Sequence, residues 1–223
     1  MISGVYPVGR PAICGYCNTA IWKTAMPLPK PNETTETNRL QAFVQQRTPE
    51  ELGRFPILRR SDMQLIGTYI QIYNYIDMHL RRCIEIFARR DMLSANFGKK
   101  YTRIPASKLT STLRPIFLAM PSTEEDVAVA ILHFDNIDVG RPLRHLLAHW
   151  AARKIPNEDA IVLLTKYEPD AEQIGIQLNP YGAATAILHM QDIRERIEVI
   201  GSYENWLGVK TSEWFKRYVP TSE

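Results

Sequence analysis

Residues 61–90 read SDMQLIGTYIQIYNYIDMHLRRCIEIFARR. Met63, Ile66, Ile70, Tyr73, Ile76, Leu80, Ile84 and Phe87 recur at steps of three and four, which places them on one face of an α-helix. Ser61 can cap its start, and Arg81, Arg82, Arg89 and Arg90 bring positive charge to its last turns, where the helix dipole favours it. At 1.5 Å per residue such a helix is about 45 Å long. An apolar face of that length needs helical partners, so this stretch points to a bundle or to a dimer interface.

Downstream, a helix is expected over 110–120, with Pro115 restricting where it can start and Pro121 ending it. Ser122 and Glu125 form a capping-box pattern for a next helix with Val127, Ile131 and Phe134 on its buried stripe, ending near 138–140. Pro142 fits the first turn of a further helix reaching about Lys154. The apolar run 160–166 reads as a strand, with 185–190 as its partner and 179–182 as a turn. Two helices follow, over 192–199 and 203–218, with Gly201 and Gly208 as interruptions. Upstream, prolines recur through residues 1–60, residues 32–38 read as a polar loop, and short helices are expected at 38–46 and 48–54. Residues 94–106 form a basic loop holding Lys99, Lys100 and Arg103. The expectation is a mainly α fold, a helical bundle with a small β-hairpin after the 142–154 helix. An irregular N-terminal arm (1–60) precedes a helical domain with a C-terminal extension (61–223).

The 223 residues suit one domain with appendages, and 45% hydrophobic with 23% charged residues is ordinary for a globular chain with a real core. A net charge of +3 permits nucleic-acid binding without demanding it. No apolar run approaches the ~18 residues of a membrane helix. The N-terminus lacks the basic-then-apolar pattern of a signal peptide, so a cytoplasmic setting and no membrane partner are expected. Three cysteines argue against a disulfide scaffold.

Residues 141–150, RPLRHLLAHW, carry the chemistry. Arg144 can hold a phosphate; His145 and His149 can move protons near neutral pH. With the helix starting at Pro142, Arg144 lies in its first turn, where free N–H groups also attract an anion. His145 and His149 share a face, whereas Arg144 and His149 are about 140° apart, so they flank a site. Leu143, Leu146 and Leu147 anchor the helix, and Trp150 reads as core or interface.

The run Arg144-His145-Leu146-Leu147-Ala148-His149 resembles the Arg-x4-6-His motif of the HEPN superfamily, with His145 in the place of the polar residue that often follows the arginine. The resemblance spans about 61–156, including the long helix. It implies an all-helical domain that dimerises, two motifs facing each other across a shared cleft, and metal-independent endoribonuclease activity leaving 2′,3′-cyclic phosphate ends. By that likeness His149 is the general base for a ribose 2′-OH, Arg144 holds the scissile phosphate, and His145 orients the phosphate or assists proton transfer. Lys99, Lys100 and Arg103 are candidate RNA contacts. No cofactor is implied. The partners implied are RNA, a second copy completing the site, and an antitoxin protein if the chain is a toxin or a phage-defence component. Asn or Asp is more usual after the arginine, and strands beyond Pro156 lie outside the minimal bundle.

Other readings use the same residues. A helical binding or dimerisation scaffold without activity would have the same bundle. His145 and His149 have the spacing of a metal pair but no third ligand, so no metal is expected. Cys14 and Cys17 form a CxxC without the second pair a zinc ribbon requires, and read as ordinary thiols. His79 and His189 read as structural.

Overall fold

A computed structural model of the chain describes residues 35–88, 103–119 and 124–219. It is mainly helical, with a small three-stranded antiparallel sheet. The helices are α1 (Thr35–Gln45), α2 (Pro49–Gly53), α3 (Arg60–Ala88), α4 (Leu109–Ala119), α5 (Glu124–His149), α6 (Glu168–Gln173) and α7 (Met190–Tyr218); the strands are β1 (Ala151–Lys154), β2 (Ala160–Thr165) and β3 (Ala184–His189). No helix among the described residues is long and apolar enough to cross a membrane.

The long helix forms where its spacing predicts. Ile66, Tyr69, Tyr73, Ile76, Leu80, Cys83 and Phe87 are buried, alternating steps of three and four as in a coiled-coil seam. Met63 is not part of that face; it is 53% exposed, and Asp62 turns inward at that end instead. The seam's main partner is α7, which buries Ile193, Ile200, Leu207, Thr211 and Trp214. Contacts climb both helices together, from Ile72 beside Gly201, through His79 beside Gly208 and Cys83 Sγ 3.2 Å from Thr211 Oγ1, to Phe87 against Trp214. The two are therefore parallel neighbours. α5 packs across α3 through Tyr69 to Gly140, Tyr73 to Ile137 and Asn74 to Arg144, and α4 runs antiparallel to α5, joined by Thr110 to Asp138 and Phe117 to Phe134.

Three boundaries differ from the sequence reading. α7 is one helix across Gly201 and Gly208. It continues through both glycines because its buried face, from Ile193 through Ile200 and Leu207 to Trp214, packs along α3 without interruption. α5 runs unbroken through 138–142, so Pro142 lies inside a helix rather than at its start. An interior proline removes one backbone bond and costs about 3 kcal/mol. Here Pro142, Leu143 and Leu146 are buried, and two tyrosine hydroxyls of α3 donate to carbonyls flanking the proline turn: Tyr73 to Ile137 at 3.1 Å and Tyr69 to Gly140 at 3.3 Å. Burial pushes both hydroxyls above the ordinary tyrosine range, so they remain donors. Finally, residues 151–154 leave the helix to form β1, paired with β2 from Ala151↔Leu164 to Lys154↔Ile161. The expected hairpin of β2 and β3 is present, with α6 between its strands.

β2 alternates its side chains between two cores. Ile161 and Leu163 face the bundle, whereas Ala160 and Val162 join Leu40, Val44, Leu52, Ile155 and Ile187 under α1 and α2. Thr48 caps α2 in a complete capping box with Glu51.

The glycines give a paired prediction. A Cβ on Gly140 would lie 2.0 Å from Tyr73 Oη and 3.1 Å from Tyr69 Oη. Gly140→Ala is expected to lose about 1–3 kcal/mol through overpacking, although alanine is the better helix former. Gly201→Ala, with open space, is expected to gain up to about 1 kcal/mol. Urea melts of the two variants should move in opposite directions, and Tyr73→Phe should partly relieve the Gly140→Ala loss.

Candidate active site at the C-terminal end of α5

Because α5 begins at Glu124, Arg144 lies in its later turns and His149 is its last residue. The anion-attracting helix start expected at Pro142 is therefore absent. The end of α5 instead presents carbonyls, which carry the partial negative charge of the helix dipole. Leu143, Leu146 and Leu147 are buried, as anchoring requires.

The helix divides the three motif residues. His145 turns towards α6, with its Nε2 2.7 Å from Asp170 Oδ1. The other carboxylate oxygen accepts the indole N–H of Trp150 at 2.8 Å. Trp150 is buried, and the side chains of His145 and Asp170 are 33% and 17% exposed. His149, one turn on, is exposed and in ring contact with His145, centroids 4.6 Å apart and planes tilted by 42°. Partial burial pushes the Asp170 carboxyl up. Hydrogen bonds from Trp150 and His145, and the positive charge available on His145 and His149, outweigh it and leave the group below the usual carboxylate range. Its stabilising contribution is therefore complete above the ordinary aspartate range and fades as the pH falls through the lowered value.

Arg144 faces α3, where its Nη2 donates to Asn74 Oδ1 at 3.1 Å; its Nε is buried without a protein acceptor. One turn earlier, Arg141 pairs with Asp77 at 2.8 Å and reaches Asp138 at 3.4 Å. Asp138 accepts the Thr110 hydroxyl, and burial pushes its carboxyl up despite its arginine neighbours. Thus the structure brings His145 and His149 together and sets Arg144 on another side of the same helix.

Asp170 and Asn74 are the site residues that the sequence did not reveal. A faint signal for Asp170 exists in Glu168-Pro169-Asp170, a proline in the first turn of a helix, and the structure places α6 there.

The remaining candidates separate cleanly. Arg103 is exposed at the start of the segment leading to α4. Lys99, Lys100, Cys14 and Cys17 lie outside the described residues. Among the described residues no group of three or more His, Cys, Asp or Glu side chains could hold a metal ion. His79 lies 3.2 Å from Glu204, and His189 lies 3.4 Å from Thr37. His133 sits against Tyr203 and Trp206, and burial lowers its pKa. Cys83 is buried against Thr211, and burial pushes its thiol up to about 12. In a Cys14→Ser/Cys17→Ser protein, a thiol reagent at neutral pH is therefore expected to label Cys83 only as fast as the chain unfolds. Rapid labelling of the native protein would contradict its burial.

No protein-family model, curated protein or solved structure matches the chain.

Proposed function

We propose that the end of α5 is the active site of a metal-independent endoribonuclease of the HEPN type. The observation that carries this reading is the histidine pair, one ring anchored to a carboxylate 2.7 Å away and the other exposed 4.6 Å from it. Cleavage of RNA by its own 2′-oxygen needs one group to take a proton and another to stabilise the phosphate. His149 is free to take the 2′-OH proton, and histidine is suited to that at neutral pH. Arg144 has donors beyond the one given to Asn74, enough for a phosphate oxygen. Its position away from His149 supports a site shared by two protomers, the arginine of one copy serving the histidine of the other. A toxin or phage-defence role, and an antitoxin partner, would accompany such an activity.

The deciding experiment incubates pure protein with mixed RNA in EDTA and examines the new ends. Cleavage with 2′,3′-cyclic phosphate ends is expected; intact RNA, or ends bearing a 3′-hydroxyl, would end the reading. One observation favours the scaffold alternative: Arg144 braces α5 against α3 through Asn74, with its Nε buried. If Arg144→Ala destabilises the fold and no RNA is cut by the wild type, the arginine is a strut.

A further inference from the structure

We propose that Asp170 is the positioning residue of this site, fixing His145 with a proton on Nε2 so that His145 serves as general acid to the leaving 5′-oxygen. The acid role rests on the nuclease reading; the fixing of the ring rests on geometry alone.

A carboxylate only accepts hydrogen bonds, so the Nε2 that lies 2.7 Å from Asp170 Oδ1 must carry the hydrogen. Asp170 cannot readily turn away, because its second oxygen is held by the indole of buried Trp150. His145 is thereby oriented as a histidine is oriented by the aspartate of a hydrolytic triad, with Nδ1 left for chemistry. Two histidines in contact also need different jobs, one giving and one taking a proton, and unequal surroundings assign them. The ring bonded to a carboxylate is the one in which a positive charge is compensated directly; the exposed ring, His149, makes no hydrogen bond to a carboxylate among the described residues.

The step balances. His149 takes the 2′-OH proton as the 2′-oxygen bonds to phosphorus. The bond from phosphorus to the 5′-oxygen breaks, its electron pair stays on that oxygen, and the oxygen receives the Nδ1 proton of His145. His145 is left neutral with its hydrogen on Nε2, the form that keeps the bond to Asp170.

Two measurements on the full chain test this. In the first, long-range proton–nitrogen correlation spectra of the imidazole nitrogens are recorded with His145 neutral, assigned with His145→Gln. The wild type is expected to carry the His145 hydrogen on Nε2, and Asp170→Ala to show a mixture. An Nδ1-protonated wild type, or an unchanged Asp170→Ala spectrum, overturns the positioning. In the second, cleavage is compared for an RNA with an ordinary linkage and one with a bridging 5′-sulfur, whose departure needs no proton. Asp170→Ala and His145→Gln are expected to slow the ordinary RNA by about 10²–10⁴-fold and to recover most of that on the sulfur linkage. His149→Ala is expected to stay slow on both. Equal losses on both linkages overturn the acid role. His145→Gln leaves the Trp150 contact in place, so a folding defect in Asp170→Ala does not decide the outcome. A wild type that cuts neither RNA overturns the nuclease reading and the acid role together, while the spectra still decide whether Asp170 fixes His145.

Discussion

His149→Ala is expected to lower RNA cleavage by about 10²–10⁴-fold without disturbing the fold. That loss is the usual contribution of a positioned general base, about 2.7–5.5 kcal/mol of transition-state stabilisation. The structural cost should be small, because His149 is exposed at the end of α5 and rests against the ring of His145. An exposed residue of this kind contributes within about 0.5 kcal/mol to stability. The variant therefore separates chemistry from folding, which Arg144→Ala cannot do given the bond to Asn74. Melting temperature and cleavage rate should be measured on the same preparation. A variant that melts like the wild type and cuts RNA equally fast removes His149 from the mechanism.

Asp62→Ala is expected to destabilise the protein by about 3–5 kcal/mol, the cost of stranding one member of a buried ion pair. The side chains of Asp62 and Lys154 are only 4% and 6% exposed, with Lys154 Nζ 3.5 Å from Asp62 Oδ2. Asp62 also accepts the Arg59 N–H at the start of α3, at 3.2 Å. Without it the ammonium keeps Asp159, 3.1 Å away, but that side chain is 60% exposed and its charge is screened by water. Removing the cation instead strands Asp62, whose remaining contact is the Arg59 N–H, so Lys154→Met should also be destabilising, whereas the double variant, with both charges gone and the stem's apolar contacts kept, should cost less than either single one. A loss of this size is a large fraction of a domain's whole stability, about 5–15 kcal/mol. Urea denaturation of the two variants and the double mutant provides the test; equal small losses in both single variants would show that the pair is not buried in solution.

The parts of the fold that were legible are those in which a short-range pattern and the final packing agree. The three-four spacing in α3 and the apolar run of β2 each announce the face they bury. The failures share a cause: the deciding partner is distant in sequence. Ala151-Ala152-Arg153-Lys154 is made of good helix formers, and only pairing with β2, and the Lys154 N–H bond to the Pro56 carbonyl, draws it into a strand. Pro142 carries the local signature of a helix start, but the tyrosine hydroxyls that hold α5 just before it come from residues 64 and 71 positions away from the carbonyls they reach. At the site, Arg144, His145 and His149 stand out by residue type, whereas Asp170 becomes visible only when α6 folds against α5. The sequence could place the histidine pair on one face of a helix; it could not tell that a carboxylate 25 residues on would take hold of one of them.

The parallel pairing of α3 with α7 has a kinetic consequence. Cys83 and Thr211 meet across 128 residues of chain, so the apolar seam of α3 waits for α7 to be made before this pairing covers it. Folding must close that long loop before the seam rewards it, which slows the rate-determining step relative to a bundle of sequential hairpins. Until α7 arrives, the nascent chain leaves that face of α3 open, and any chain cut short before Met190 keeps it so.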